Sequence, residues 1–316
     1  QERVEPMKDQ VLEAGREVKD HLQASAQESA QQVKEAAGEA KDEVKQQARV
    51  HAELLPQVIE LAVLAKSLNV GLTIDAEEVN RLDLSLGLFE SLVSEPNLKG
   101  WNGLGLAVQA YGKRAKPVLE WLAGVAQATQ RVLPVRLVKG AYWDTEIKRA
   151  QEAGLESYSL FTRKVSTDVS YLACAKFMLA KRNLFYPQFA THNAHTIAAV
   201  KIMAGEQGGY EFQRLHGMGQ ALYEQVVGPT KMNLPSWTYD PLGSHEHFLA
   251  YLVRRLLDNG ANTSFVNRLA DDDAPIADII ADPVVEVGAL TQIPHPRIPA
   301  PRNIFGGRVS SPGAPL

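Results

Sequence analysis

One arginine inside an otherwise apolar segment is the strongest chemical signal in this chain. The segment Val135–Asp144 is β-branched and apolar around Arg136, then breaks at Gly140 into two aromatic residues and a carboxylate. This pattern is typical of a buried parallel strand that delivers its carboxyl end to a ligand. A buried guanidinium is costly without a permanent anionic or hydrogen-bonding partner, and a bound cofactor can be that partner. The segment therefore predicts a ligand site at the C-terminal end of an α/β barrel.

Other polar residues follow the same logic at the ends of five consecutive predicted strands. In a parallel barrel all of these ends converge on one face, where ligands bind. One such residue is ordinary helix capping, but five in succession are hard to explain by capping alone. The residues are Asp75, Glu77, Gln109, Arg136, Lys139, Thr191, His192, Asn193, Gln213 and His216.

A pair of arginines, Arg254 and Arg255, lies in a helix predicted over Glu246–Leu257. The helix is otherwise apolar around much of its circumference, so at least one of the two arginines is expected to face a sheltered region. Paired guanidinium groups suit a small carboxylate, which they bind by bidentate hydrogen bonds. The alternative is one solvated arginine beside one that forms a salt bridge.

Helices and strands alternate from His51 onward, which predicts a parallel sheet covered by helices. The fold class is therefore predicted as α/β, a distorted (β/α)8 TIM-type barrel in which about six of the eight βα units are visible. The predicted strands are Val70–Asp75, Leu104–Tyr111, Val135–Tyr142, Tyr186–His192, Tyr210–His216 and Trp237–Leu242. The predicted helices are Leu54–Leu68, Ala76–Leu92, Ala115–Thr129, Val169–Ala180, His195–Met203, Gly219–Val227 and Glu246–Leu257.

Composition divides the chain into three predicted parts. Residues 1–50 contain no aromatic residue and predict an Ala/Gln/Glu-rich helical arm, either solvated or acting as a coiled-coil or lipid-surface helix. Residues 51–270 predict the barrel. Residues 271–316 are Pro-rich and predict an extended C-terminal tail or linker.

Bulk charge and motif content narrow the function classes. The net charge is −4, which argues against nucleic acid as the main partner. One cysteine, Cys174, rules out an internal disulfide framework and is predicted to lie in the core. We expect a cytoplasmic protein, because no segment is apolar over a length that spans a bilayer.

No GxGxxG follows a strand, so a Rossmann site is not predicted. His192, His195 and His216 suggest a metal, but no second histidine shares a strand, so none is predicted.

Several motifs, in this order, resemble those of proline dehydrogenases. They are Ile74–Glu78, Val108–Tyr111, Arg136–Asp144, Phe189–His195, Leu215–Gly219, Tyr251–Leu257 and Asn259–Phe265. The likeness is to the proline dehydrogenase domain of the bifunctional bacterial flavoenzyme family proline utilization A. It covers roughly residues 54–300.

The resemblance implies FAD bound in a distorted barrel without a Rossmann fold. It implies oxidation of L-proline to Δ1-pyrroline-5-carboxylate, with a hydride passing from C5 of proline to flavin N5. The electrons would then pass to a quinone, which requires peripheral contact with the inner membrane surface.

The same resemblance implies the site residues. Arg254 and Arg255 would clamp the proline carboxylate, and Asp75 would pair with that arginine region. The ring of proline would lie among Ala141, Tyr142, Leu215, Tyr239 and Tyr251. FAD would be held by Gln109, Arg136, Val138, Gly140, Trp143, Thr191, His192, Asn193 and Gln213.

The chain also departs from the family. The family's first two barrel strands, and a lysine that binds the proline carboxylate, have no counterpart before Leu54, where the arm stands instead. A second hypothesis is therefore a non-catalytic, truncated or rearranged derivative whose arm mediates homo-oligomer formation. A third is a metal-dependent barrel hydrolase.

Overall fold

The computed structural model describes residues 48–243 and 280–305, together with single positions 45, 249, 253, 275 and 277. The chain divides into two compact units, Gln1–Gln57 and Val58–Leu316. The predicted domain boundaries after residues 50 and 270 stay predictions.

Six parallel strands form one sheet, and their order in the sheet is their order along the chain. Parallel neighbours need a crossover connection, which is why a helix or a long loop separates each strand from the next. The strands are β1 (Leu72–Ile74), β2 (Leu104–Gln109), β3 (Leu133–Val138), β4 (Phe185–Ala190), β5 (Glu211–Leu215) and β6 (Ser236–Tyr239).

Eight helices whose bounds the structure describes accompany the sheet. They are α1 (48–67), α2 (Leu82–Ser94), α3 (Ala115–Thr129), α4 (Trp143–Glu152), α5 (Lys164–Leu179), α6 (Ala194–Ala204), α7 (Gln220–Val226) and α8 (Pro283–Gly288). Helices α3, α5 and α6 pack against one another in sequence, and α5 covers β3 and β4.

The two faces of the sheet differ in character. In β3, Leu133, Val135 and Leu137 are fully buried and face the helices, because side chains alternate along a strand. Pro134, Arg136 and Val138 face the other way and are partly exposed. The apolar core therefore lies between the sheet and its helices. Its largest fully buried members include Phe89, Leu119, Leu122, Tyr171, Phe185, Phe189 and Phe212.

Cys174 lies in this core, as predicted. Its side chain is fully buried in α5, and burial raises the pKa of its thiol to about 11. A thiol that stays protonated is a poor nucleophile, so a packing role is confirmed.

All six predicted strands are present, but one predicted helix begins late and one observed helix was not predicted. The helix expected over Ala76–Leu92 begins only at Leu82, because Glu78 has an extended backbone and a 3-10 turn, Val79–Arg81, follows it. Helix α4 was not predicted, since seven of its ten residues are polar or charged and its apolar stripe is only Trp143, Ile147 and Ala150. Most of the helix predicted over Glu246–Leu257 lies outside the described residues.

The described part of the Pro-rich segment is anchored to the barrel. The guanidinium of Arg163 donates to the backbone carbonyls of Gln292, Ile293 and Pro294 at 3.0–3.3 Å. Further along, the hydroxyl of Tyr158 donates to the carbonyl of Pro299 at 2.8 Å. An extended segment satisfies its backbone groups in this way when no neighbouring strand is available.

Replacing Arg163 by alanine is therefore expected to release residues 290–299 from the barrel. Trypsin should then cleave after Arg297 about tenfold faster, since one charge-assisted hydrogen bond is worth about 1.5 kcal/mol in the opening equilibrium. Timed digestion with mass spectrometry measures this. Lys148→Ala, an exposed change on α4, is the matched control and should cleave at the original rate. Equal rates for all three proteins would show that Arg163 is not the anchor.

Candidate functional site

The guanidinium of Arg136 is the centre of the site. Its Nε donates to Oε1 of Gln213 at 2.8 Å, and its Nη1 donates to Oδ1 of Asp75 at 2.6 Å. The guanidinium carbon also lies 5.0 Å from the ring centre of Tyr239. The side chain of Arg136 is 17% exposed, so these contacts replace most of the water that a guanidinium needs.

These contacts also show that the sheet curls. Neighbouring strands lie about 4.8 Å apart, so a flat sheet would place β6 about 14 Å from β3. That span is longer than an arginine side chain, yet Arg136 on β3 touches both Tyr239 on β6 and Asp75 just after β1. The sheet must bend so that its inner face closes around the guanidinium.

Asp75 supplies the anion that Arg136 was predicted to need. The sequence alone suggested that a bound cofactor fills this role, whereas the structure places a carboxylate of the same chain there. The carboxylate of Asp75 is 71% exposed, so it also faces the open side of the site. Its predicted pairing with Arg254 and Arg255 stays a prediction, because both arginines lie outside the described residues.

The turn after β4 brings three predicted residues together. The hydroxyl of Thr191 accepts from the backbone N–H of Asn193 at 3.2 Å, and the side chain of Asn193 caps α6 by accepting from Thr196. Nε2 of His192 accepts from the backbone N–H of Leu215 at 3.2 Å. Because that nitrogen accepts, a neutral His192 carries its proton on Nδ1. The β4 turn is thereby fixed to the end of β5.

The remaining predicted residues surround the ends of β2 and β3. Nε2 of Gln109 donates to the carbonyl of Glu77 at 2.7 Å, which ties the end of β2 to the segment after β1. Nε1 of Trp143 donates to the carbonyl of Phe161 at 2.9 Å, so this indole is fixed at the first residue of α4. Val138 is the last residue of β3, and Gly140, Ala141 and Tyr142 lie in the connection from β3 to α4.

Lys139 does not join this cluster, although it was grouped with Arg136 from the sequence. It falls on the helix side of β3, where its ammonium pairs with Asp168 of α5, which also accepts from Lys164 at 2.8 Å. Burial lowers the pKa of Lys139, and Asp168 opposes that shift. Burial would raise the pKa of Asp168, but the two lysines outweigh it and hold that pKa below its usual value.

A cavity of about 60 Å³ lies beside the site, beneath the segment that follows β1. Asp75, Glu78 and Gln109 contribute to its lining, together with apolar side chains of α2 and α3. Among the described residues, no three His, Cys, Asp or Glu side chains are grouped as metal ligands. Tyr251, Arg254 and Arg255 lie outside the described residues, so their predicted roles stay predictions.

Two residues of the site were missed from the sequence. The hydroxyl of Tyr223 lies 2.8 Å from the carbonyl of Thr191 and 2.9 Å from that of Gln213, so it fastens the ends of β4 and β5 together. Glu211 is 4% exposed and accepts from Nε2 of Gln213 at 2.7 Å. The period-two pattern of β5 offered a signal for Glu211, because it places residues 211, 213 and 215 on one face.

The sequence and the fold were compared with known proteins. The sequence model described as proline dehydrogenase matches residues 6–268. The bifunctional protein PutA of Salmonella typhimurium is 57% identical over 281 residues, which is 85% of this chain and 21% of that protein. The chain thus spans about a fifth of the length of the curated relatives it matches.

Solved structures agree in fold. Proline utilization A from Bradyrhizobium japonicum superimposes with a TM-score of 0.81 at 52% identity, over 84% of this chain and 27% of that chain. The enzyme from Bdellovibrio bacteriovorus inactivated by N-propargylglycine gives a TM-score of 0.72 at 31% identity, over 76% and 25%. The predicted α/β, TIM-type class is confirmed, with six parallel strands in the described residues.

Gly140, at the turn after β3, is expected to tolerate no side chain. Its φ of +135° is unfavourable for other residues, and an added Cβ would lie 2.4 Å from the ring of Tyr111. Gly140→Ala should lower the free energy of unfolding by about 2 kcal/mol or more. Gly124→Ala, in the exposed middle of α3 with open space around it, should raise it by about 1 kcal/mol. Urea denaturation measures both, and the same sign for the two variants would contradict the strained turn.

Proposed function

Because this chain belongs to the proline dehydrogenase family, we propose that its barrel oxidises L-proline to Δ1-pyrroline-5-carboxylate with FAD, and that the electrons pass to a quinone. The observation that carries the proposal is the cluster of Arg136, Asp75, Gln213 and Tyr239 on the inner face of the sheet. Polar groups converging at the C-terminal ends of parallel strands are where barrels bind substrates and cofactors.

The side chains at these strand ends suit a flavin. An isoalloxazine ring presents oxygen and nitrogen acceptors along one edge, and the strand ends carry donors of three kinds, namely guanidinium, amide and hydroxyl. Gly140 adds a tight turn at the end of β3, where the ring of Tyr111 fills the space that a side chain would need. The residues proposed to hold FAD are Gln109, Arg136, Val138, Gly140, Trp143, Thr191, His192, Asn193 and Gln213. When bound, FAD would supply the hydride acceptor, at N5, for C5 of proline.

The contribution of the chain itself at these strand ends is a fixed positive charge, the guanidinium of Arg136. A guanidinium is a permanent cation, and that of Arg136 is held by two hydrogen bonds before any ligand arrives. A preorganised cation stabilises electron-rich groups beside it without reorganisation during the reaction. Asp75 neutralises part of that charge, so the local field is weaker than that of a lone arginine.

Substrate positioning is proposed for two groups of residues. Arg254 and Arg255 would hold the carboxylate of proline by bidentate hydrogen bonds. The ring of proline would lie among Ala141, Tyr142, Leu215, Tyr239 and Tyr251. Holding the reacting carbon in one place removes much of the entropic barrier to transfer.

Delivery of electrons to a quinone would require contact with a membrane surface. Among the described residues, no helix combines the length and the apolar character needed to cross a bilayer. We therefore propose peripheral association of a cytoplasmic protein with the inner membrane, through surface contact rather than a spanning segment.

A second candidate function is a non-catalytic derivative that self-associates. The observation that favours it is that the described residues hold six strands, whereas a closed (β/α)8 barrel has eight. Within that part of the chain, β1 and β6 each pair on one side only, and such edges promote association between chains.

The visible absorption spectrum separates the two functions. We expect the purified full chain to show a flavin spectrum that bleaches when L-proline is added without oxygen. A colourless protein whose mass rises with concentration would favour the non-catalytic derivative. A yellow protein that proline cannot reduce would contradict the proposed substrate while leaving the flavin assignment intact. D-proline serves as the matched control for the added ligand.

Two arginine variants should divide cofactor binding from substrate binding. Arg136→Met is expected to weaken FAD retention, because it removes the cation at the strand ends. Arg254→Met is expected to leave FAD bound but to raise the proline concentration needed for half-maximal reduction about a hundredfold, as for a lost charged hydrogen-bond pair. Flavin content and a proline titration measure the two effects. A variant that loses bound flavin and the response to proline to the same extent would contradict separate roles for the two arginines.

A further inference from the structure

A buried carboxylate lies behind the arginine of the site. Glu211 begins β5 on the inner face of the sheet and is 4% exposed. Its Oε1 accepts from Nε2 of Gln188 at 2.9 Å and from Nε2 of Gln213 at 2.7 Å. The register of β4 and β5 explains this, because Gln188 lies directly opposite Glu211.

Tyr186 is a further neighbour of this carboxylate. It lies on the inner face of β4, two residues before Gln188. Burial, followed by the nearby charge of Glu211, raises the pKa of Tyr186 to about 12. The phenol therefore stays protonated and adds no charge beside the carboxylate.

The chemistry of a glutamine amide makes this arrangement directional. The amide has one accepting end, Oε1, and one donating end, Nε2, whereas the guanidinium of Arg136 can only donate. Gln213 supports Arg136 only when its Oε1 faces the guanidinium, as it does at 2.8 Å. An ionised carboxylate can only accept, so Glu211 engages Nε2 and no other orientation of the amide satisfies both neighbours.

We propose that Glu211 is a positioning residue for the site: it fixes the orientation of the Gln213 amide and, through that amide, the guanidinium of Arg136. Glu211 is two contacts away from the site that Arg136 faces, so it acts only through Gln213. The effect of Glu211 on catalysis rests on the proposed function, but its effect on the orientation of the Gln213 amide does not.

Without the carboxylate, Nε2 of Gln213 loses its acceptor, and only the guanidinium of Arg136 still holds the amide in this orientation. Rotation by 180° would turn Nε2 toward the guanidinium, so that two donors face each other and the hydrogen bond is lost. Arg136 would then keep Asp75 and Tyr239 as partners but lose the one that holds Nε. The expected signature is a freed Nε–H, with the fold retained.

The test observes that hydrogen directly, by nuclear magnetic resonance of the full chain labelled with ¹⁵N-arginine. Arg136→Lys identifies the Nε–H resonance by removing it. In the wild type this hydrogen should exchange slowly with solvent, because it is buried and hydrogen-bonded. Glu211→Met should speed its exchange at least about tenfold.

Glu211→Gln should restore slow exchange, because an amide carbonyl can still accept from Nε2 of Gln213. Tyr186→Phe is the matched control, since it removes a hydroxyl close to Glu211 and leaves Gln213 untouched. Where Glu211→Met fails to fold, Glu211→Asp serves instead, because it keeps the charge and withdraws the oxygens by one methylene. It too should speed exchange.

Unchanged exchange in folded Glu211→Met or Glu211→Asp would overturn the proposal. Equally fast exchange in Tyr186→Phe would also overturn it, because that result would indicate general loosening of the inner face. The measurement uses neither proline nor turnover. A chain that fails to bleach with proline but shows this exchange pattern would thus retain the positioning role and lose the proposed function.

Discussion

The structure depends on placing one permanent cation, Arg136, on the inner face of a parallel sheet. A guanidinium there is stable only if several strands contribute partners to it. Asp75 comes from the end of β1, Gln213 from β5 and Tyr239 from β6. Because Arg136 contacts all three of these side chains, the sheet must curl. One electrostatic requirement therefore links the curvature of the barrel to the composition of its site.

The two sides of the sheet are stabilised by different physics. The helix side is an apolar core, where buried aromatic and aliphatic side chains remove their surface from water. On the inner side, a hydrogen-bonded row runs from Gln188 through Glu211 and Gln213 to Arg136 and Asp75. Because every step of that row has a fixed donor and acceptor, the inner side holds one arrangement of charges before any ligand binds.

Much of the fold could be predicted from the sequence because period-two and period-3.6 patterns report which face is buried. The strands and the inward direction of Arg136 follow from that pattern. The identity of the partner of Arg136 does not follow from that pattern, because Asp75 lies 61 residues away along the chain and meets Arg136 only through the curl of the sheet. The anchoring of residues 290–299 by Arg163 was missed for the same reason, because its contacts are tertiary. Helix α4 was missed because most of its residues are polar or charged.

The most direct test of Arg136 as the centre of the site is a double-mutant cycle with Gln213. The free energy of unfolding would be measured by urea denaturation for Arg136→Met, Gln213→Met and the double variant. A coupling of about 1–3 kcal/mol is expected, because both side chains are mostly buried and the hydrogen bond is charge-assisted. The cycle between Arg136 and exposed Lys148 should give no coupling. A coupling within about 0.5 kcal/mol of zero for Arg136 and Gln213 would contradict the account.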